Sequence, residues 1–270
     1  VAVSRAVVKL GGDVLAGAAL TTVAADLARA RADGHRLVIV HGGGPQATEL
    51  SRRLGIEPRL VGGRRVTDEP TLDVMKMVVA GKLNADLVGA LRAAGAPAVG
   101  LSGTSGVIRA HRRPPKVVSG GGAEPVDFGF VGDVDGFDLA LLDALEAAGR
   151  LVVLACLGAD AGGGALNINA DVVASQLAAA LKADVLVACT AVGGVRRDKE
   201  DPSTRIARLT VTEARAAIAS GVVQGGMIPK LEEAFAPLEA GVGAVHIVGA
   251  GEIAKSLGAP GSAGTSLVAG

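Results

Sequence analysis

The chain contains no tryptophan and no tyrosine, and its four phenylalanines are Phe128, Phe130, Phe137 and Phe235. So few aromatics remove the usual stacking platform for single-stranded nucleic acid, which makes RNA or DNA binding a poor reading of the chain. Cysteine is as scarce: Cys156 and Cys189 are far apart with no Cys-x-x-Cys spacing, which fits two reduced core thiols of an intracellular protein. The four histidines, His35, His41, His111 and His246, are scattered and form no metal-ligand motif. No excess of either charge exists, because 27 basic residues balance 27 acidic ones. No overall field therefore steers the chain to a polyanion or an anionic membrane, and any anion must be held locally. Apolar runs such as 151–157 fall short of the roughly 20 residues of a membrane-spanning helix, and no charged-then-apolar leader is visible. The expectation is a soluble, cytoplasmic protein with neither nucleic acid nor membrane as partner.

What the chain does have is 49% hydrophobic residues over 270 positions, enough for a sizeable core, together with 40 glycines. The stretch Leu37-Val38-Ile39-Val40-His41-Gly42-Gly43-Gly44-Pro45 reads as a strand buried on both faces, a glycine turn and a helix start. Ala47, Leu50, Arg53 and Leu54 continue at helical spacing, so backbone N–H groups and a helix N-terminus meet at the turn, an arrangement suited to an anion. A purely structural glycine turn explains the same residues. Gly42-x-Gly44-x-x-Ala47 also fits a dinucleotide fingerprint. That reading wants an acid after the next strand, where Arg59-Leu60-Val61 instead runs into Gly62-Gly63-Arg64-Arg65.

Val7-Val8-Lys9-Leu10-Gly11-Gly12 is a second strand ending in glycines. A lysine in such a strand either snorkels from a sheet edge or meets an anion. With a helix over 20–32 between them, the two strands form a β-α-β unit whose glycine turns lie close together. Arg64-Arg65 before the helix start Asp68-Glu69-Pro70 suits bidentate carboxylate binding, or is a solvated surface pair. A long amphipathic helix follows through Met75, Val78, Val79, Leu83, Leu87 and Leu91, as core or oligomer seam. Gly100-Leu101-Ser102-Gly103-Thr104 misses the hydrolase elbow at its last position.

Residues 107–134, broken by Pro114-Pro115 and Gly120-Gly121-Gly122, read as hairpins, with 127–134 alternating as a strand. Asp133, Asp135 and Asp138 lack the spacing and closing Glu of a calcium loop and read as turn acids. A helix over 139–148 and buried strands over 151–157 and 185–188 follow, and 198–206 is a charged loop. In Leu166-Asn167-Ile168-Asn169-Ala170-Asp171, Asn169 is a plausible N-cap and Asp171 a first-turn acid, whereas Asn167 is not explained by capping. Gly225-Gly226-Met227-Ile228-Pro229-Lys230 opens another helix, and a cation in its first turn is disfavoured unless an anion binds nearby. Residues 264–268 read as a closing strand.

Two lysines, two glycine turns and an acid at a helix start suit phosphoryl transfer, where catalysis is mostly positioning and charge neutralisation. Gly81-Lys82-Leu83 lacks the hydroxyl of a Walker motif. The order of Lys9-Leu10-Gly11-Gly12, His41-Gly42-Gly43-Gly44-Pro45-Gln46, Arg65-Val66-Thr67, Gly129-Phe130-Val131-Gly132-Asp133-Val134, Asn167-Ile168-Asn169-Ala170-Asp171, Gly226-Met227-Ile228-Pro229-Lys230 and Gly264-Thr265 resembles the amino-acid kinase family over nearly the whole chain.

The resemblance is strongest to members that use ATP, with Mg²⁺ bound through the nucleotide, to phosphorylate N-acetyl-L-glutamate in arginine biosynthesis. It implies that Lys9 and Lys230 stabilise the transferred phosphoryl group and that Asp171 orients both. It further implies that Gly43 and Gly44 hold the substrate's γ-carboxylate region, and Arg65 and Asn167 its α-carboxylate and acetamido end. Gly11, Gly12, Thr190, Gly193, Val223 and Gln224 are implied to serve the nucleotide. The acceptor carboxylate is already ionised at neutral pH, so no general base is required.

The chain departs from the family in two places. Cys189-Thr190-Ala191 stands where Ser/Thr-Asp is usual, and Ser105 where Asp is common. Eight residues precede Lys9, and the sequence after His246 lacks the signature of arginine-inhibited members, so an arginine-insensitive homodimer is expected. The expected fold is α/β, a three-layer α/β/α sandwich around an open, mostly parallel sheet. Residues 1–155 would form the lobe for the acyl amino acid and dimerisation, and 156–270 the nucleotide lobe. Two other readings fit the same residues: a kinase for a carrier-linked aminoadipate or glutamate, and a non-catalytic ligand sensor on the same fold.

Overall fold

The computed structural model describes residues 3–118, 121–198 and 200–270; Gly120 of the glycine run and Lys199 of the charged loop lie outside them. In chain order its strands are β1 (Arg5–Leu10), β2 (Arg36–His41), β3 (Leu60–Val61), β4 (Arg64–Arg65), β5 (Ala98–Ser102), β6 (Ile108–Arg112), β7 (Gly132–Phe137), β8 (Leu151–Ala155), β9 (Leu157–Ala159), β10 (Ala165–Asn167), β11 (Val185–Cys189), β12 (Arg208–Thr210), β13 (Ala244–Val248) and β14 (Thr265–Val268). The helices are α1 (Gly17–Ala32), α2 (Gly44–Arg53), α3 (Glu69–Met75), α4 (Asn84–Ala93), α5 (Leu139–Ala147), α6 (Ala170–Ala180), α7 (Val211–Ala219), α8 (Met227–Glu239) and α9 (Ile253–Gly258).

Eight strands form one sheet in the order β12-β14-β13-β11-β1-β2-β8-β5. All neighbours run parallel except β13 and β14, the closing strand, which are antiparallel. Helix α1 packs on α4 and α9, while α8 packs on α6 and α7, with α6 against β1, β2 and β11. Cover on both faces explains why β2 and β8 read as almost continuous apolar runs. A second sheet, β10-β9-β6-β7, adjoins the main one.

β1 is central, paired with β2 on one side and β11 on the other, which removes the edge-strand explanation for Lys9. The strand order reverses there, and open α/β sheets bind ligands beyond the carboxyl ends of strands at such a switch point. In register, Lys9 stands beside Val40 and Leu10 beside His41, so the two glycine turns leave the sheet together.

Three expected elements differ in detail. The run 151–157 divides at Cys156, whose carbonyl accepts from the Ile168 N–H at 3.1 Å, and Leu157 begins the second sheet. The long helix is α3 and α4 joined by wider π-helical turns over Lys76–Leu83. These turns bring Leu83 and Val79 against Gly43, where a Cβ would lie 2.5 Å from Leu83 Cδ1. The strand expected over 127–134 starts only at Gly132. Upstream, Asp127 accepts from the Gly129 N–H at 2.8 Å, and Gly129, at φ +71°, turns the chain onto Thr67. The three turn acids are all engaged: Asp133 with Arg113, Asp135 with His111, and Asp138 as the N-cap of α5.

Candidate active site

A cleft of about 660 Å³ opens at the carboxyl ends of β1 and β2. Lys9, Gly11 and Gly12 reach it from β1, Gly43 and Gly44 from the turn after β2, and Asp171 from α6. Asn169 caps α6 by accepting from the Asp171 N–H at 2.7 Å, which fixes the first turn. With α6 packed on β1, the Asp171 carboxylate meets Lys9: Nζ to Oδ1 is 2.7 Å, the side chains 27% and 16% exposed respectively. A lysine in an otherwise buried strand thus has a partner at the mouth of the cleft.

The two glycine turns are tied to each other. Gln46 Nε2 donates to the Gly12 carbonyl at 2.6 Å, and a Cβ at Gly12 would lie 2.7 Å from Gln46 Oε1. At Gly44, by contrast, a Cβ would meet no protein atom within 4 Å; that space belongs to the cleft. Below the turn, His41 is fully buried, with Nδ1 donating to the Gly42 carbonyl at 2.9 Å and Nε2 accepting from Asn84 at 3.0 Å. Burial holds its pKa below the ordinary histidine range, so the ring is neutral and supports the turn.

The same cleft is lined by Arg65, on the hairpin β3-β4 whose turn glycines, Gly62 and Gly63, both have positive φ. Its Nη2 donates to Thr48 Oγ1 at 2.7 Å and to the Gly44 carbonyl at 3.1 Å, while Nη1 is buried and has no protein partner. Burial lowers its pKa, as for a cation that lacks its counter-ion. Asn167 faces the same cleft, its amide donating to Thr67 Oγ1 at 3.1 Å. The remaining charged lining is Arg64, Arg113, Lys116 and Glu233, so five cations face two carboxyls.

Of the residues expected from sequence, Lys9, Asp171, Gly11, Gly12, Gly43, Gly44, Arg65 and Asn167 line this one cleft. Lys230 stands outside this lining, in the first turn of α8, one turn before the lining residue Glu233. Thr190, Gly193, Val223 and Gln224 lie outside the lining. Thr190 is buried and its Oγ1 accepts from Val192 N–H, Val223 is buried in the core, and the Gln224 amide donates to the Gly221 carbonyl at 2.7 Å. The loop after β11, which lacks the usual Asp, is pinned instead by Asp13, whose Oδ2 accepts from the Ala191 N–H at 2.8 Å.

Sequence reading missed Arg113, Lys116, Glu233 and Asp13. Glu233 was within reach, lying three residues after Lys230 on one helix face, and Arg113 and Lys116 flank Pro114-Pro115. Nothing local marks Asp13, whose partner comes from the far half of the chain.

The amino acid kinase family model matches residues 4–249. An acetylglutamate kinase of Sorangium cellulosum is 56% identical over 266 residues, 97% of this chain and 94% of that one. Another, from Carboxydothermus hydrogenoformans, is 40% identical over 93% of this chain and 86% of its own. Among solved structures, N-acetylglutamate synthase from Neisseria gonorrhoeae, complexed with coenzyme A and N-acetyl-glutamate, superposes with a TM-score of 0.80 at 29% identity, covering 99% of this chain and 60% of that one. Carbamate kinase from Giardia lamblia shares the fold, with a TM-score of 0.71 at 17% identity over 100% and 99% of the two chains. On the family match, the identities and the cleft together, the chain belongs to the amino acid kinase family.

Proposed function

We propose that the chain is an acetylglutamate kinase, which transfers the γ-phosphoryl group of ATP to the γ-carboxylate of N-acetyl-L-glutamate and forms N-acetyl-L-glutamyl 5-phosphate for arginine biosynthesis. The observation that carries this reading is that one cleft holds both a paired lysine and an unsatisfied arginine. The Lys9–Asp171 pair and Arg65, with a buried, unpartnered Nη1, line the same cleft. A dicarboxylate acceptor can meet both, its α-carboxylate on Arg65 and its acetamido group near Asn167. Gly43 and Gly44 then bring backbone amides to the γ-carboxylate.

Nucleotide, when bound, supplies the phosphoryl group, and magnesium is proposed to ride on its phosphates. The open turn at Gly11 and Gly12, closed against larger residues by Asp13 and Gln46, fits a phosphate chain lying along backbone amides. Lys9 and Lys230 offset charge as the phosphoryl group moves, and Asp171 holds Lys9 in line. No residue needs to remove a proton from the acceptor.

Residues 1–155 are assigned mainly to the acyl amino acid and 156–270 mainly to the nucleotide; the halves meet in the main sheet where β1 pairs with β11, and Gly11, Gly12 and Asn167 serve across that division. A cytoplasmic homodimer is part of the proposal, with the α3–α4 run and its exposed Met77 as the seam. No helix of the described residues is long and apolar enough to cross a membrane. Trapping acyl phosphate with hydroxylamine tests the reading: hydroxamate is expected from N-acetyl-L-glutamate with ATP. Product only from a carrier-linked aminoadipate or glutamate, or none from any acceptor, contradicts it.

A further inference from the structure

Asn84 opens α4 directly after the π-helical turns and is buried although polar. Its amide nitrogen Nδ2 faces two groups at once: the Val153 carbonyl of β8 at 3.2 Å and His41 Nε2 of β2 at 3.0 Å. A carbonyl only accepts, so the atom turned toward it is the NH₂ of the amide and not its oxygen. His41 Nε2 therefore accepts the other amide proton. The ring proton is left on Nδ1, which donates to the Gly42 carbonyl at 2.9 Å. These buried contacts fix one tautomer and one direction, from α4 through β2 to the glycine turn. Gly100 of β5 makes room for them: a Cβ there would lie 2.0 Å from Asn84 Oδ1.

The direction matters at the next peptide. In a planar trans peptide the C=O and the following N–H point opposite ways, and the described residues contain no cis bond. With the Gly42 carbonyl drawn to His41, the Gly43 N–H points away from that buried ring, and Gly43 lines the cleft. Among the described residues this N–H has no protein acceptor, whereas the N–H of Gly42 donates to the Leu10 carbonyl at 3.3 Å. The π-helical turns hold the same place by packing: a Cβ at Gly43 would lie 2.5 Å from Leu83, the residue before Asn84, and 3.2 Å from Val79.

We propose that Asn84 is a positioning residue for the acceptor: acting through His41, it keeps the Gly42–Gly43 peptide turned so that the Gly43 N–H donates to the acceptor's γ-carboxylate. Neither side chain makes or breaks a covalent bond, and no proton is transferred. Without the relay the Gly42 carbonyl loses its donor and the peptide is free to flip. A flipped peptide presents a carbonyl oxygen to a carboxylate and repels it. The proposal rests on the acetylglutamate kinase reading above, and adds that the acceptor's amide donor is set from a buried helix start.

The test combines steady-state kinetics and heteronuclear NMR on the full chain. Asn84→Leu keeps the branched shape and cannot donate; Asn84→Asp keeps the shape and only accepts. Both are expected to raise the KM for N-acetyl-L-glutamate about tenfold while the KM for ATP stays within about twofold. A merely structural loss would lower the active fraction, and so kcat, and leave both KM values alone. In wild-type protein the Gly43 amide proton is expected to move downfield when N-acetyl-L-glutamate is added and not when ADP is added, a measurement that stands even where a variant fails to fold. An unchanged acceptor KM in a folded variant, an equal rise in both KM values, or a Gly43 amide that ignores the acceptor overturns the proposal. Wild-type protein that forms no acyl phosphate from N-acetyl-L-glutamate instead overturns the kinase reading on which it rests.

Discussion

Lys9 Nζ lies 2.7 Å from Asp171 Oδ1, a pair built from the central strand β1 and the first turn of α6 in the other half of the chain. Each residue explains the other. The lysine escapes the cost of a buried, unpaired cation, and the acid holds the ammonium at the point where β1 gives way to its glycine turn.

Removing the acid's charge while keeping its shape isolates that function. Asp171→Asn is expected to lower turnover about a hundredfold, the scale of one preorganised electrostatic contact, with little change in the KM for either substrate. Steady-state kinetics with N-acetyl-L-glutamate and ATP check this, and turnover within twofold of wild type would refute the positioning of Lys9 by Asp171.

Arg65 is expected to act on the acceptor. Without its half-satisfied guanidinium, Arg65→Ala loses a charge-assisted contact of about 1.5–3 kcal/mol, or roughly 10- to 150-fold in the KM for N-acetyl-L-glutamate. Nucleotide affinity is expected to stay unchanged. A defect confined to ATP would place the acceptor elsewhere.

The adjacent glycines separate packing from binding. A Cβ at Gly43 meets Leu83 at 2.5 Å, so Gly43→Ala is expected to destabilise the fold by about 1–3 kcal/mol through overpacking. Gly44→Ala meets only open cleft and is expected to leave the melting temperature within a degree or two while weakening acceptor binding. Thermal unfolding and KM measured on both variants check the pair; the reverse pattern would mean that the cleft is misassigned.

Acid stability carries a signature of His246. This ring is 1% exposed, neither nitrogen has a partner, and burial pushes its pKa down to about 4. An unfolded histidine titrates near 6.5, so between those values the unfolded chain binds more protons and stability falls as pH drops from about 6.5 toward 4. The loss at pH 5 is on the order of 2 kcal/mol. His246→Leu is expected to remove it, so that urea unfolding shows a larger gain over wild type at pH 5 than at pH 7.5. Equal gains at both would show that the histidine does not titrate as described.

Much of this was legible in the sequence because the signals are local. Apolar runs gave β1, β2 and β11 their place, the first two capped by glycines, and Asn169 beside Asp171 marked the start of α6. What was not legible depends on contacts between distant segments. Asp13 carries no local mark of its bond to Ala191, and the break of 151–157 at Cys156 follows from the hydrogen bond with Ile168. The turn at Gly129 likewise owes its shape to Thr67, which periodicity cannot register.

The central claim is that Lys9 and Lys230 serve one migrating phosphoryl group. A double-mutant cycle on single-turnover acyl-phosphate formation tests it, with Lys9→Ala, Lys230→Ala and the double variant. Each single change is expected to cost about 10²–10³-fold, and the double variant far less than their product, because groups that act as a unit are not additive. Losses that multiply, or a Lys230→Ala variant as fast as wild type, would contradict the account.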